Sequence, residues 1–510
     1  MFPAWVENNL TWFIHEGKQH GLSDVKVSDV EDISLILIPD ASSNDYEYHE
    51  KFQKLGKDII VLDHHEAERI SENAIIINNQ LSDYPNKQMS GVGIVWQFCR
   101  YIDSLLQTDY ANDYLDLVAL GMDADMMSML SIETKHLINK GLNQIVNPFF
   151  TAMVDKNAYS MKNEVTPIGV AFYVAPYVNA IVRSGTQEEK EIVFQSMLKF
   201  KAFNKIPSPK RGCKGTTELL YVQAVRTATN VKNRQTRAQD AGMLFLEKMI
   251  EEQNLLNHKV LLFLLEPGQI DKNIAGLIAN KLMAKYQRPC CVLTKVEEEI
   301  EETSYIKVSY QGSARGCDKT GIINFKDICE QTGCIMFAEG HQGAFGLGIY
   351  SHTIGVDDET QGNTIIHFIE ETDRILKDMN DEAIYYVDYI YEGENVNPEH
   401  ILDIARLNHL WGKDIDEPLI AIQGLKVKTN MIELMSPDNK PTLKITLPNK
   451  VSLIKFGSSE EECDSIYPTY SGYTELNIVG KCNKNTWNGW TTPQIFITDY
   501  EIVDRVKYAF

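Results

Sequence analysis

Short apolar runs alternate with polar segments along the first third of the chain. Residues 33–40 (ISLILIPD), 57–65 (KDIIVLDHH) and 74–79 (AIIINN) are continuous apolar runs that end in polar side chains. Continuous apolar strands with helical segments between them are typical of a parallel sheet that is covered on both faces. The pattern therefore predicts an α/β unit at the start of the chain.

Polar side chains cluster at the ends of these runs. A helix opened by small residues is predicted over 90–106, and an apolar segment at 114–129 ends in acidic residues. In open α/β sheets the ligand site lies at the carboxyl ends of the strands. We expect such ends to deliver five polar side chains to one edge: Asp40, Asp63, His64, His65 and Asp125.

Along the rest of the chain the predicted secondary structure changes character twice. Helices are predicted over 166–185 and 235–256, and a second α/β unit begins near residue 258. Beyond about residue 385, short β segments separated by turns indicate a small barrel or sandwich. The predicted domains are 1–234, a connecting helix at 235–257, 258–378 and 385–510.

Composition narrows the functional classes. The net charge of −22 argues against a protein that coats nucleic acid by bulk attraction, although a local basic channel is compatible with it. The sequence contains no apolar run of the roughly 20 residues that a membrane span needs, and its first residues lack the features of a signal peptide. Nine scattered cysteines without a C-x-x-C motif favour a reducing cytoplasm.

The acidic and imidazole groups suggest metal chemistry. Two divalent metals need carboxylates, one of them bridging, and tolerate imidazole; such a pair activates water and neutralises a phosphoryl group. Ligands of the Asp and His type favour manganese or magnesium over structural zinc. The competing interpretation is that any single aspartate at a strand end caps a helix.

Several motifs resemble those of a known family. VLDHHE (61–66) resembles the motif of the DHH phosphoesterase superfamily, and LILIPDASSND (35–45) and ALGMDADMMSM (119–129) resemble two further motifs. GSARG (312–316) and AEGHQGAFGLGI (338–349) resemble the substrate-facing motifs of the DHH-associated domain. Nearly the whole chain is similar to the RecJ single-strand-specific 5′ to 3′ exonucleases, particularly phage-like members. The resemblance implies an α/β fold with a parallel-sheet DHH domain, an α/β DHH-associated domain and a small OB-like β-barrel.

The resemblance also implies roles for individual residues. Asp40, His64 and Asp125 would bind two Mn²⁺ or Mg²⁺ ions with Asp40 bridging, Asp63 would be a ligand or hold the site's hydrogen bonds, and His65 would face the scissile phosphate. The substrate-binding residues would be Asn179, Arg183, Gly312, Ser313, Arg315, Gly340 and His341. The glycines and Ser313 would bring the backbone close to phosphate, where a side chain would obstruct. Trp487 and Trp490 would either stack on bases of single-stranded DNA or lie in the barrel core.

One motif of the family is absent from this sequence. The family opens with an Asp-x-Asp-Gly motif, which supplies ligands to both metals, and no such motif occurs here. We therefore expect that the chain starts some tens of residues late, through truncation, a misassigned start or a split gene, and that it hydrolyses little by itself.

The predicted function is metal-dependent 5′ to 3′ degradation of single-stranded DNA in repair, recombination or phage replication. The expected partners are single-stranded DNA and either a single-strand-binding protein or a helicase. One alternative is a catalytically impaired fragment that binds single-stranded nucleic acid. Another is a DHH-type oligoribonuclease or cyclic-dinucleotide phosphodiesterase, which would lack an OB-like region such as 385–510.

Overall fold

The first unit is built on a three-stranded parallel sheet. The computed structural model describes residues 8–16, 20–210, 212–213, 215–299, 306–322, 324–351, 364–378, 384–435, 441–468 and 472–506. Strands β1 (Leu35–Pro39), β2 (Asp58–Asp63) and β3 (Ile75–Asn78) lie side by side in chain order. Helix α1 (Tyr46–Lys54) connects the first two. The three strands predicted from the apolar runs are confirmed.

One face of this sheet is less covered than the sequence predicted. Ile59, Val61 and Leu62 of the central strand are buried. In contrast, Leu35 of β1 is 49% exposed and Ile75 of β3 is 62% exposed. Both belong to strands at the edges of the described sheet, where fewer elements pack. The prediction of cover on both faces is therefore wrong for part of one face.

A helical layer follows the sheet. Its members are α2 (Gly91–Leu106), α3 (Leu115–Ala124), α4 (Ile132–Leu142), α5 (Pro148–Asn157), α6 (Pro167–Tyr173), α7 (Ala175–Ser184) and α8 (Gln187–Met197). Their buried side chains, among them Met122, Phe149 and Phe150, form one core with Leu62 of the sheet. This core fixes the helices against the central strand.

Two predictions in this layer need correction. The apolar segment 114–129 carries helix α3, so Asp125 lies at the C-cap of a helix and not at the end of a strand. A short, fully apolar run does not distinguish a buried helix from a buried strand. The single helix predicted over 166–185 is two helices that meet at Val174. Pro176 lacks a backbone N–H, so the first helix cannot continue through it.

A 33-residue helix, α9 (Leu220–Glu252), follows a small hairpin of β4 (Lys205–Pro207) and β5 (Thr217–Leu219). It begins well before residue 235, where the sequence predicted a helix start. Its buried side includes Gln223, Gln235 and Gln239. Only Gln223 lies in the half that the sequence missed; Gln235 and Gln239 lie in the half that it indicated, so buried glutamines alone do not explain the missed start.

The second sheet has five strands in the order β6-β7-β8-β10-β9. Only β6 and β7 are parallel; the other neighbours are antiparallel. The strands are β6 (Leu261–Leu265), β7 (Cys290–Glu299), β8 (Ile306–Arg315), β9 (Ile335–His341) and β10 (Ala344–Tyr350), and the helices are α10 (Lys272–Tyr286), α11 (Phe325–Gln331) and α12 (Thr364–Ile375). This is the predicted second α/β unit.

The third sheet has seven strands in the order β11-β12-β16-β17-β15-β14-β13. The strands are β11 (Tyr389–Glu392), β12 (Leu419–Val427), β13 (Ile432–Met435), β14 (Thr442–Thr446), β15 (Ser452–Lys455), β16 (Tyr473–Trp487) and β17 (Trp490–Val506), with helices α13 (Pro398–Arg406) and α14 (Glu460–Ile466). Leu425, Leu443 and Leu476 are fully buried in its core. The predicted change to short β segments near residue 385 is borne out.

Polar contacts attach the third unit to the first. The Met129 amide donates to the Lys413 carbonyl over 2.9 Å, and Lys484 pairs with Glu164 at 2.7 Å. Within the described ranges, no helix combines the length and the apolar character that crossing a membrane requires.

Candidate metal centre and phosphate cleft

The loop after β1 brings Asp40 to the carboxyl edge of the first sheet. Its amide donates to the carbonyl of Leu62 over 2.8 Å, which extends the pairing of β1 with β2 by one residue. Asp40 then turns the chain with a φ of +63°, a conformation that aspartate tolerates better than most residues. As a result, its carboxylate lies at the same edge as Asp63, His64 and His65.

Asp40, His64 and Asp125 converge on one point. The His64 Nε2 atom lies 3.3 Å from an oxygen of Asp40 and 3.3 Å from an oxygen of Asp125. Ligand atoms of Asp40, His64 and His65 also lie within 4.8 Å of one another. Two carboxylates and imidazole are a suitable donor set for Mn²⁺, and carboxylates suit Mg²⁺. Asp40 and His64 are thus close enough to share an ion, and the third residue within the same reach is His65, whereas Asp125 approaches His64 alone.

The electrostatics of Asp125 are those of a cation site. Burial raises the pKa of its carboxyl, His64 opposes that change, and the nearby Asp40 carboxylate adds to it. Two carboxylates that repel each other across a short gap are stabilised by a cation between them. This repulsion is therefore a second feature that fits a divalent metal.

The buried Asp63 carboxylate stabilises the backbone of the Asp-His-His motif through hydrogen bonds. Asp63 is only 1% exposed, and its carboxylate accepts hydrogen bonds from the amides of Ser43, His64 and His65. Burial acts to raise the pKa of Asp63, but the hydrogen bonds from His65 and Ser43 outweigh it and hold the pKa well below its usual range. Of the two roles considered for Asp63, this geometry favours the one that holds the site's hydrogen bonds.

His65 is oriented by the same carboxylate. Its Nδ1 atom lies 2.7 Å from Asp63 Oδ1, so Nε2 faces away from Asp63, and the side chain is 54% exposed. The hydrogen bond to Asp63 raises the pKa of His65, against the effect of burial. A fixed and partly exposed imidazole is compatible with the predicted contact to phosphate.

Sequence reasoning missed two residues that support this loop. Asn78, at the end of β3, donates through Nδ2 to Ser43 Oγ and to the His65 carbonyl, both over 2.8 Å. Ser43 in turn donates its amide to Asp63. The only available signal was an asparagine at the end of the third apolar run, at the same edge as the other site residues.

The N-terminus of α2 approaches Asp40 closely. The Gly91 amide donates to Asp40 Oδ1 over 3.2 Å, and a Cβ atom on Gly91 would lie 2.2 Å from the same oxygen. Only glycine leaves room for the carboxylate here. The helix N-terminus also stabilises the negative charge of Asp40.

We expect Gly91→Ala to displace Asp40 and to weaken manganese binding about ten- to a hundredfold, the effect of losing a group that orients a ligand. Isothermal titration with Mn²⁺ measures this. Gly93→Ala is the matched control for helix packing, because a Cβ atom there meets the buried Met89 side chain and no site residue. Equal losses in both variants would show that helix packing, and not the contact with Asp40, is responsible.

The second sheet supplies Ser313 and Arg315 from one face of β8. Both point towards helix α10, since a Cβ atom on Gly276 would lie 3.2 Å from Ser313 Oγ and 2.5 Å from Arg315 Nη2. Burial lowers the pKa of Arg315, and the positive charge of Arg183 lowers it further. No carboxylate of a described residue lies within the 4.0 Å of an ion pair to Arg183 or Arg315. Two neighbouring guanidinium groups without an acidic partner form a suitable site for an anion.

Two other predicted substrate-binding residues, Asn179 and His341, lie on α7 and β9. Asn179 lies one helical turn before Arg183 on α7. His341 ends β9 and is exposed, and its charge lowers the pKa of Asp125 in the first unit. His341 therefore brings the second unit close to the carboxylates of the first.

The reason given for the glycines needs correction. Gly312 alternates with Ser313 and faces the other side of β8, where a Cβ atom would lie 2.1 Å from the Val292 carbonyl. Gly340 has a φ of +125°, and a Cβ atom there would lie 3.0 Å from the Ala344 carbonyl. Strand packing explains both glycines, so an approach of backbone to phosphate is not needed to account for them.

Trp487 and Trp490, the two tryptophans considered for stacking, lie at the protein surface. Trp487 is 73% exposed and Trp490 is 80% exposed, at the end of the β16–β17 hairpin. The alternative that they lie in the barrel core is therefore wrong.

Comparison with known proteins agrees with this geometry. The DHH family N-terminal domain model matches residues 4–122, and the RecJ OB domain model matches residues 387–499. The first of these contains the Asp-His-His edge, and the second contains most of the seven-stranded sheet.

Two curated relatives extend the match to nearly the full chain. A Bacillus subtilis (strain 168) protein with the provisional name SPbeta prophage-derived single-strand DNA-specific exonuclease YorK is 34% identical over 499 residues, covering 97% of this chain and 82% of that protein. The single-stranded-DNA-specific exonuclease RecJ of the same strain is 23% identical, covering 91% of this chain and 54% of that protein. The chain therefore spans about half the length of that RecJ.

Solved structures show the same fold. RecJ from Thermus thermophilus in complex with Mn²⁺ superposes with a TM-score of 0.66 at 16% identity, covering 94% of this chain and 63% of that one. The same protein with Mg²⁺ gives a TM-score of 0.59. The fold is that of a DHH-type phosphoesterase. Within that class, the chain belongs to the RecJ-like family.

Proposed function

We propose that this chain is a metal-dependent exonuclease that hydrolyses single-stranded DNA from its 5′ end. The observation that carries the proposal is the convergence of Asp40 and Asp125 on His64, with His341 of the second unit close enough to act on Asp125. A cation site opposite an anion site suits a phosphodiester that is bound on one side by metal and on the other by guanidinium. The names of the curated relatives support single-stranded DNA as the substrate.

We infer that two ions act in the site, bridged by Asp40. Its carboxylate is 59% exposed and is approached from one side by His64, which leaves the other side open. When bound, such ions lower the pKa of a water molecule and neutralise charge on the phosphoryl group. Ligands beyond Asp40 for the second ion are not assigned among the described residues.

The protein groups have separate tasks in this proposal. Asp63 positions the backbone of the motif and orients His65, whose Nε2 is directed away from Asp63 and available to the phosphate. Arg315, with Arg183, Asn179, Ser313 and His341, holds the phosphate from the second unit and from α7. Hydrolysis then consumes one water molecule for each phosphodiester bond broken.

The fold weighs against one alternative. The oligoribonuclease and cyclic-dinucleotide phosphodiesterase interpretation requires the absence of an OB-like unit, whereas the RecJ OB domain model matches residues 387–499. The alternative of an impaired binding fragment is not favoured either, because Asp40, His64 and Asp125 converge as a ligand set should.

We also propose a reducing cytoplasm, in keeping with nine free cysteines, and a single-strand-binding protein or helicase as a further partner.

The direct test is digestion of single-stranded DNA labelled at either end, with and without Mn²⁺. We expect the 5′ label to be released first as a short product and the 3′ label to remain on shortening strands. Double-stranded DNA of the same sequence should be degraded much more slowly. Release of the 3′ label first, or equal rates without added metal, would contradict the proposal.

A further inference from the structure

Helix α3 ends in an uncommon turn directly after the proposed metal ligand Asp125. Met126 has a φ of +55°, and its amide donates to the Asp123 carbonyl over 3.2 Å. The Met127 amide donates to the Met122 carbonyl over 3.0 Å. This pair of hydrogen bonds is a Schellman motif, in which the residue with left-handed backbone is usually glycine. Asp125 is therefore held at a helix end that is built around a left-handed methionine.

Methionine is strained in this conformation. For residues other than glycine, left-handed backbone brings Cβ close to the following carbonyl oxygen, which shifts a local equilibrium against the conformation by roughly five- to thirtyfold. The Met126 side chain is 51% exposed, so its own burial offsets little of this strain. Strained backbone persists where the surrounding structure holds it in place. The residues that follow Met126 are therefore expected to be firmly held.

The third unit holds the residues that follow. The Met129 amide donates to the Lys413 carbonyl over 2.9 Å, and the Met129 side chain is 1% exposed. A Cβ atom on Gly412 would lie 2.8 Å from Met129 Cγ, so the chain approaches Met129 as closely as glycine allows. A hydrogen bond from the buried Ser128 side chain lowers the pKa of the Asp414 carboxyl. Two residues of the first unit thus contact three consecutive residues of the third.

These three residues belong to a tight turn between α13 and β12, which we call the docking turn (residues 412–415). Gly412 and Ile415 exchange both backbone hydrogen bonds, at 3.0 and 3.2 Å, and Asp414 has a φ of +64°. Ile415 packs against the apolar core of the first unit, which includes Met122 and Met129. The docking turn is therefore part of the third unit in sequence but packs into the first.

The same helix end determines where the Asp125 carboxylate lies. Its Oδ2 atom is 3.3 Å from His64 Nε2, and its amide donates to the Gly121 carbonyl over 3.0 Å. The backbone leaves the helix at the next residue, Met126, so a change of φ there alters the direction of the chain beside Asp125. Metal ligands need to be held within about 0.5 Å of their working position by well-packed neighbours. Support for Met126 is therefore support for the ligand.

We propose that the docking turn positions Asp125: the third unit keeps Met126 in its left-handed conformation and thereby directs the Asp125 carboxylate towards His64. This inference rests on the proposed role of Asp125 as a metal ligand and extends that site to the third unit. The residues of the docking turn act through the segment that follows Met126, so they are positioning residues. Metal binding in the first unit therefore depends on a contact made by the third.

The test is calorimetric titration of Mn²⁺ into the full chain without DNA. Asp414→Gly removes the carboxylate that accepts from Ser128 and keeps the left-handed backbone, which glycine adopts freely. We expect it to weaken Mn²⁺ binding about tenfold, the lower end of the usual effect of losing a group that orients a ligand. Asp414→Asn should retain most of the affinity, because its amide oxygen accepts the same hydrogen bond and asparagine tolerates left-handed backbone.

A second substitution separates positioning from a loss of folding. Met126→Gly removes the strain of the left-handed residue, so the helix end needs less support from the docking turn. Combined with Asp414→Gly, it should recover roughly fivefold in Mn²⁺ affinity, the smaller estimate of the strain. A misfolded third unit would not be corrected by a change at Met126. Circular dichroism on each variant checks the fold.

Lys484→Gln is the matched control. It breaks another contact between the same two units, the 2.7 Å ion pair with Glu164, and does not touch residues 126–129. Its Mn²⁺ affinity should be that of the unmodified chain. Three results would overturn the inference: unchanged affinity in Asp414→Gly, an equal loss in Lys484→Gln, or no recovery when Met126→Gly is added.

These outcomes are distinguishable from failure of the proposed function. If Asp125→Asn lost Mn²⁺ affinity and Asp414→Gly did not, the metal centre would stand and only the positioning role would fail. If the docking-turn variants behaved as expected but the unmodified chain degraded no DNA with Mn²⁺, the proposed nuclease activity would fail and the positioning role would stand.

Discussion

His64→Ala is expected to abolish nuclease activity and to weaken Mn²⁺ binding by about a hundredfold or more, which is beyond the usual effect of losing a group that only orients a ligand. His64 Nε2 lies 3.3 Å from both Asp40 and Asp125, so its loss removes a ligand and leaves two carboxylates that repel each other. Asp125→Asn should have a similar effect, because it keeps the shape of the side chain and removes its charge.

Two measurements check this prediction: release of label from single-stranded DNA with Mn²⁺, and calorimetric titration of Mn²⁺ without DNA. His136→Ala is the matched control, since His136 is exposed on α4, away from the sheet edge. The fold should survive in all three variants because none of the replaced side chains belongs to the apolar core. Unchanged metal affinity in both His64→Ala and Asp125→Asn would remove these residues from the metal centre.

The edge site could be predicted because topology alone determines most of it. Parallel strands bring their carboxyl ends together, so Asp40 and the Asp-His-His motif had to meet once three apolar runs were identified as neighbouring strands. Asp125 was correctly placed near this edge although its element was misassigned. It lies there because the C-terminus of helix α3 approaches His64, which the apolar pattern did not determine.

The backbone conformations and contacts that hold the site residues in place could not be predicted in the same way. They include left-handed backbone at Asp40 and Ser42, the Ser43 amide and the close approach of Gly91. These are features of loop conformation and helix placement, which hydrophobic periodicity does not describe. The packing reason for glycine at 312 could not be predicted either, for a related reason. Its tightest neighbour, Val292, lies on a strand that the sequence gives no means of aligning with it.

The position of the tryptophans was open at the sequence level because strand length was not known. TELNIVGKC and PQIFITDYEIV indicate strands, but both strands continue for several more residues to meet at Asn488 and Gly489. That extension takes Trp487 and Trp490 beyond the core of the third sheet. The polar segment between the two apolar patterns is equally compatible with a loop.

Arg315→Ala is expected to weaken binding of short single-stranded oligonucleotides about ten- to a hundredfold, since a charge-assisted phosphate contact contributes roughly 1.5–3 kcal/mol. Mn²⁺ affinity should be unchanged, because Arg315 lies on β8 of the second sheet and the metal ligands belong to the first unit. Arg183→Ala should act in the same direction. Both side chains are half-buried and neither lies within ion-pair distance of a described carboxylate, so their charge is available to the substrate.

The salt dependence of binding tests whether Arg315 contacts phosphate. Each lost phosphate contact should reduce the slope of log K against log salt concentration by about 0.7 for a single strand. Arg315→Lys should keep most of the slope but lose affinity, since lysine retains the charge without the two-pronged geometry of guanidinium. Arg374→Ala is the control for loss of a positive charge from the same unit, because Arg374 already pairs with Glu371 at 2.7 Å. If Arg315→Ala weakened Mn²⁺ binding and left oligonucleotide binding and its salt slope intact, Arg315 would act at the metal centre and not on the phosphate.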